Sequence, residues 1–273
     1  MKPHYSSIKF DIPVFIQGQG KRSNQEDAYF PIDTSSMQYK NCFIICDGVG
    51  GQNKGEVASS MLSQSLGELL QVDILDIDII KNALRITENK MTKAVKDQNE
   101  LEGMSTTLVL LVNTGTNIIT AHVGDSRIYQ FRNGKVLYKS KDHSLVEELV
   151  AHGSITEAAA VTHPRRNVIT RSVSGNGQNA EIDFNIHLDL KQDDLFLLCT
   201  DGVLESWTDV ELRKWSNQKF SLKHLAIQLE TKCKQHSTDN YTACLLQIKS
   251  IIEISLLQKL KNILILRNHA FRK

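Results

Sequence analysis

The sequence predicts an α+β fold in which antiparallel sheets are covered by helices. Three observations lead there. Strand-like runs dominate the middle of the chain. Hairpin-sized turns separate most of them. The helical patterns arrive in pairs between strand groups, whereas a doubly wound parallel sheet would alternate single strands with single helices.

Strands are expected over residues 43–46, 106–112, 117–123, 127–131, 135–139, 183–188, 195–199 and 243–248, all rich in Val, Ile, Leu, Thr and aromatics and bounded by turn residues. Asn133-Gly134 lies between Ile128-Tyr129-Gln130-Phe131 and Val136-Leu137-Tyr138. That dipeptide favours the positive φ of a two-residue hairpin. Asn113 to Thr116 marks a second hairpin. Val57, Met61, Leu62, Leu66, Leu69 and Leu70 recur at helical spacing, as do Ile80, Ala83, Leu84, Thr87, Met91, Ala94 and Val95. Later helices are expected over Ser144–His152, Asp209–Ser216 and Leu222–His236. No repeat or low-complexity linker divides the chain, so one domain spans residues 1–248.

The bulk numbers fit an ordinary globular protein of 273 residues, with 41% hydrophobic and 23% charged residues. A net charge of +1 argues against nucleic acid as a global partner. No stretch has the length and continuity of a membrane span, and residues 1–15 lack the apolar core of a signal peptide. Cys42, Cys46, Cys199, Cys233 and Cys244 form no C-x-x-C pair, and their odd number fits a reducing cytoplasm.

Residues 249–273 are a basic amphipathic extension. From Ser250 onward, Ile254, Leu257, Leu260, Ile263 or Leu264, and Leu266 make a helical stripe beside Lys259, Lys261, Arg267, Arg272 and Lys273. Such a segment can lie on a membrane surface or pack on a protein partner, or it is a terminal helix docked on its own domain or a frayed tail.

The chemistry is concentrated in carboxylates at strand ends. Phe43-Ile44-Ile45 runs into Cys46-Asp47-Gly48-Val49-Gly50-Gly51, and Leu195-Phe196-Leu197-Leu198-Cys199 runs into Thr200-Asp201-Gly202-Val203. Glu26-Asp27, Gly124-Asp125-Ser126-Arg127 and Asp239-Asn240 add further acids beside strands or glycines. Each is a turn or a solvated loop if read alone. Together, carboxylates converging in a low dielectric would repel unless cations neutralised them. Oxygen donors select hard ions such as Mg²⁺ or Mn²⁺ over zinc. Two such ions, about 3.5–4 Å apart, can share a carboxylate and a water that becomes a hydroxide nucleophile. Arg22 is the natural fork for a phosphate dianion.

Six ordered motifs are similar to those of the PP2C family of metal-dependent protein phosphatases: Arg22 with Glu26-Asp27-Ala28, Asp47-Gly48-Val49-Gly50-Gly51, Ser105-Thr106-Thr107, Val123-Gly124-Asp125-Ser126-Arg127, Thr200-Asp201-Gly202-Val203, and Asp239-Asn240. Asp142-His143-Ser144-Leu145 and residues 163–171 resemble the bacterial branch. The resemblance covers residues 10 to 248. It implies an αββα sandwich of two antiparallel sheets flanked by helices, with the metals at one end. It implies hydrolysis of phosphoserine and phosphothreonine in proteins by a water or hydroxide between two Mn²⁺ or Mg²⁺ ions, in opposition to a bacterial Ser/Thr kinase. Asp47 would bridge both ions, with Asp201 and Asp239 completing the first site. Glu26 and the Gly48 carbonyl would serve the second, with Asp27 holding its waters. Asp125 would help bind a third, weaker ion beside Asp201. Arg22 would hold the substrate phosphate, and residues 140–165 would form a flap.

One departure matters. The animal branch carries a His, proposed as general acid, where this chain has Val49, which donates no proton. His143 and His163 are alternative donors or simply structural. Other phosphatase chemistries fail on the page. The residues six after each cysteine are Gly48, Gln52, Glu205, Asp239 and Ser250, so Cys-x₅-Arg is absent, and Asp76-Ile77-Asp78 follows no strand. Two rival readings are a catalytically silent relative and a scaffold recruited to membranes by its tail. The first is expected to have lost a metal aspartate, yet Asp47, Asp201 and Asp239 are all present.

Overall fold

A computed structural model describes residues 5–32, 41–49 and 54–253. Thirteen strands are found among them: β1 (Tyr5–Phe10), β2 (Val14–Gly18), β3 (Asp27–Phe30), β4 (Cys42–Val49), β5 (Ser105–Thr106), β6 (Leu108–Asn113), β7 (Ile118–Val123), β8 (Arg127–Arg132), β9 (Lys135–Lys139), β10 (Val173–Ser174), β11 (Asp183–His187), β12 (Leu195–Cys199) and β13 (Tyr241–Glu253). The helices are α1 (Lys54–Leu69), α2 (Ile77–Asp97), α3 (Leu145–Ala151), α4 (Glu157–Val161), α5 (Asp201–Leu204), α6 (Asp209–Ser216) and α7 (Leu222–His236).

The strands form two antiparallel sheets. One has the order β1-β13-β12-β8-β9, with β2 also on β13; the other has the order β10-β5-β4-β6-β7-β11, with β3 also on β4. Period-two alternation divides each central strand between two cores. Phe43 and Ile45 of β4, Val109 and Leu111 of β6, Phe196 and Leu198 of β12, and Cys244 and Leu246 of β13 meet between the sheets. The alternate residues of β4 and β6 pack outward on Leu62, Leu66, Ile80 and Met91 of α1 and α2. Those of β12 and β13 pack on Leu212, Trp215, Leu225 and Leu229 of α6 and α7. The result is the predicted αββα sandwich. Both faces of the central strands are covered, which is why they read as continuous apolar runs.

Local signals set the connections. Asn133 and Gly134 take φ of 48° and 70° between β8 and β9, as the hairpin requires. The Asp76 side chain accepts from the Ile79 N–H to cap α2. Thr208 and Glu211 form a capping box on α6.

The C-terminal reading needs a correction. β13 runs on to Glu253, pairing with β1 as far as Tyr5. Ser250–Glu253 are therefore sheet, not the start of a helical stripe, and the division at residue 248 falls inside a strand. Backbone pairing with β1 outweighs the side-chain pattern there. The rest of the stripe, residues 254–273, lies outside the described residues. No helix among the described residues is long and apolar enough to cross a membrane.

Candidate metal centre

Both sheets deliver carboxylates to one end of the sandwich. In the first sheet's partner, Asp27 opens β3 directly opposite Asp47 of β4. In the other, Asp201 begins α5 immediately after β12, and Asp239 lies two residues ahead of β13. Asp125 occupies the turn between β7 and β8, which belong to different sheets. Contacts across the sheets fix the convergence. The Thr200 Oγ1–H donates to Asp27 Oδ2 at 3.0 Å, and the Asp47 and Asp201 carboxyls are within hydrogen-bonding reach. Arg22 Nη2 donates to Asp239 Oδ2 at 2.5 Å. Its side chain keeps 53% of its surface exposed, so the guanidinium is held yet open to a ligand.

Each carboxylate is mounted on backbone held by neighbouring polar side chains. The Asp47 N–H donates to Thr107 Oγ1 (3.0 Å), while the Thr106 hydroxyl and the Thr107 N–H donate to the Asp47 carbonyl (both 2.8 Å). Thr107 Oγ1 also bonds Ser126 Oγ at 2.8 Å, which ties Asp47 to the Asp125 turn. Gly124 has φ of +100° and lies so close to the Thr107 side chain that a Cβ would collide with it. Gly48 packs backbone to backbone on Gly55, beside the Glu26 side chain. Asn240 is buried and works in three directions. Its Oδ1 accepts from the Glu26 N–H (2.8 Å), and its Nδ2 donates to the Gln19 and Asn24 carbonyls (both 2.9 Å). Glu205 accepts from the Thr238 and Asp239 N–H groups, holding the approach to Asp239.

The electrostatics are those of an uncompensated acidic site. Burial pushes the Asp27 carboxyl up to about 7, with Asp201 and Asp239 adding to the rise against the hydroxyls that solvate it. Burial and then Asp201 and Asp142 push Asp125 to about 7. Burial and Asp239 push Asp201 to about 6. Asp47 is held well above the carboxylate range by burial and by Asp27, Asp201, Asp125 and Asp239 together. The nearby cations do not balance this: Arg22 is engaged by Asp239, and Arg127 is forked onto Asp142 at 2.7 and 2.6 Å. Asp27 Oδ1 is buried with no hydrogen-bond partner. A buried orphan acceptor among oxygen-only donors at raised pKa fits hard divalent cations.

The structure thus brings Arg22, Glu26, Asp27, Asp47, Gly48, Asp125, Asp201 and Asp239 to one end of the fold. Gly50 and Gly51 lie outside the described residues. Val49 continues β4 opposite Ser105. His143 is structural: it is buried, and its Nδ1 accepts from the Gly124 N–H while its Nε2 faces Asp183 at 3.1 Å. His163 accepts from the Arg165 N–H within its own turn. His122, His143 and Asp183 could gather around a cation, but Arg171 Nη1 already sits 3.2 Å from Asp183 and 3.4 Å from His143. Of residues 140–165, α4 buries no side chain, whereas α3 is anchored through Ser144, bridged to Ile169. Sequence reasoning gave no role to Thr200, Ser126 or Glu205. Thr200 and Ser126 adjoin motif aspartates, which was the available signal; Glu205 carries none.

Comparison with known proteins agrees with this geometry. Residues 19–234 match the family model described as protein phosphatase 2C. The serine/threonine phosphatase stp of Listeria monocytogenes serovar 1/2a is 31% identical over 211 residues, covering 75% of this chain and 83% of that protein. The protein phosphatase PhpP of Streptococcus pneumoniae serotype 2 is 32% identical over 203 residues, covering 72% and 79%. The solved serine/threonine phosphatase of S. agalactiae superposes with a TM-score of 0.75 at 29% identity, covering 87% of this chain and 99% of that one. With its ordered acidic motifs mounted on the same four-layer fold, this chain belongs to the protein phosphatase 2C family.

Proposed function

We propose that this protein, a serine/threonine protein phosphatase of the 2C type, hydrolyses phosphoserine and phosphothreonine in proteins using two Mn²⁺ or Mg²⁺ ions. The observation that carries this is the convergence of Asp27, Asp47, Asp125 and Asp201, all raised by burial and mutual repulsion, around an unpartnered Asp27 oxygen. Asp47 would lie between the two ions, Asp201 and Asp239 on one and Glu26 and the Gly48 carbonyl on the other. Asp27 would hold water beside the second ion, and Asp125 would serve a third, weaker ion. When bound, the pair supplies an activated water and Lewis acidity toward the phosphoryl oxygens.

The chain's own residues do the rest by positioning and charge. Arg22, oriented by Asp239 and half exposed, binds two phosphate oxygens and offsets charge on them during in-line attack. Thr106 and Thr107 hold the Asp47 backbone, and Asn240 holds the Glu26 loop, so the donors stay fixed as charge moves. Val49 has no proton to give, His143 is tied to Gly124 and Asp183, and His163 is tied into its own turn, so water at the site would protonate the leaving oxygen. Bacterial relatives carrying the name serine/threonine phosphatase support phosphorylated proteins as substrates; a Ser/Thr kinase as the opposing enzyme follows only from the reaction, since its substrate must first be phosphorylated. Five buried, free cysteines support a reducing, cytoplasmic setting.

The test is direct. Purified protein should release phosphate from a phosphothreonine peptide with Mn²⁺ or Mg²⁺ and stop with EDTA. Full activity after EDTA would mean that the carboxylates do not work through a metal.

A further inference from the structure

At the opposite end of the sandwich lies a groove of about 480 Å³, walled by the α1–α2 connection, the β6–β7 hairpin and the edge strand β11. Its wall mixes apolar and acidic groups. Ile74 and Ile186 are 74% and 45% exposed there, and Asp73, Asp76 and Asp78 line it with no Lys or Arg among the lining residues. Asp76 caps α2, but Asp73 and Asp78 have no basic partner among the described residues. Asn117, at the same wall, has a buried Oδ1 with no hydrogen-bond partner.

We propose that residues 254–273 of this chain occupy that groove. The segment carries five basic side chains and no acidic one, with Leu and Ile recurring beside them. It is complementary to the groove in both charge and apolarity. It also starts in the right place. Ile251 of β13 pairs with Ile8 of β1, and the Ile8 carbonyl accepts from Asn113 Nδ2 at 2.9 Å. Asn113 ends β6 and leads into the hairpin that walls the groove. Twenty residues span about 30 Å as a helix and about 65 Å extended, so reach is not limiting. Apolar side chains would cover Ile74 and Ile186, and Lys259 and Lys261 would face Asp73 and Asp78. This placement is remote from the carboxylate centre and does not depend on its chemistry.

Hydrogen exchange of the 273-residue chain, read by mass spectrometry, tests the assignment. Amides of residues 254–273 should exchange at least about tenfold more slowly than in a synthetic peptide of the same sequence. Asp73→Lys with Asp78→Lys, both at exposed positions, should remove that protection while residues 195–199 keep theirs. Adding Lys259→Glu and Lys261→Glu should restore it. Tail exchange unchanged by the Asp73 and Asp78 reversals would overturn the proposal. So would protection that appears only with anionic phospholipid vesicles, marking a membrane contact, or only as protein concentration rises, marking a second copy.

Discussion

Removing divalent cations should make this protein less stable as pH rises, and the size of the effect can be worked from Asp27. Its carboxyl lies at about 7 in the fold against an ordinary 3.8. A group raised on folding contributes stability that is complete below the unfolded value and is lost as pH climbs through the folded one. For Asp27 the loss between those limits is about 4 kcal/mol. Asp125 and Asp201, at about 7 and about 6, act in the same direction. The contributions do not simply add, because one retained proton relieves its neighbours. His187 opposes them. Burial pulls it down to about 4, so its contribution is present above the unfolded value of 6.5 and lost as pH falls toward 4. A melting curve in EDTA alone therefore mixes the two trends. The difference between melts with Mn²⁺ and with EDTA separates them, since His187 contributes to both and the cation answers only the carboxylates. That difference should grow by about 2.5 kcal/mol between about pH 5 and pH 7.5, the rest of the Asp27 loss falling below pH 5. At this chain length it amounts to roughly 5–10 °C in Tm. Circular dichroism melts at matched ionic strength measure it. A Mn²⁺-minus-EDTA difference that is flat across this range would refute the argument.

Three substitutions probe the surrounding parts. Arg22→Ala should lower kcat/KM on a phosphopeptide by roughly 10²–10³-fold, with Arg22→Lys recovering only part, because a point charge does not replace the two-pronged contact; steady-state kinetics measure both. Asn240→Leu leaves the Glu26 N–H and the Asn24 carbonyl without partners, while the Gln19 carbonyl keeps only the Arg22 N–H at 3.3 Å, and should cost about 2–3 kcal/mol in urea unfolding. Gly48→Ala drives a methyl into the Gly55 and Glu26 carbonyls and should lower Mn²⁺ affinity, measured by titration calorimetry, while leaving the β8–β9 hairpin's exchange protection intact.

Much of the fold was legible because central strands covered on both faces announce themselves as apolar runs. The limits of α6 and α7 were also readable, since Thr208 with Glu211 and Ser221 cap their starts. β1, β2 and β3 were not foreseen. They are interrupted by Lys, Gln and Asp, and pairing with β13 and β4 makes them strands. The two-residue β5 and β10 exist only through each other and β4. α5 is a single turn containing Gly202, too short for any period to show. Asp47, Asp125 and Asp201 stood out because each adjoins a glycine, Asp27 because it sits at the edge of an apolar run, and Asp239 because it precedes the last strand. Their supports did not: a lone Asn, Thr or Glu has no pattern until folding shows which backbone groups it must satisfy. The strand–tail junction was misplaced for the same reason, as Ile251 and Ile252 fit a helical stripe and a β edge equally well.

The central claim, that this carboxylate cluster is a two-cation centre turning on Asp47, is tested most directly by Asp47→Asn. Substitution removes a carboxyl whose ionisation burial and four acidic neighbours oppose, so in EDTA at neutral pH the variant should melt at a higher temperature than the native protein. The same variant should fail to bind the pair of Mn²⁺ ions that calorimetry should count in the native protein, and it should release no phosphate. A variant that binds both ions and turns over normally, or one that is destabilised in EDTA, would contradict the account.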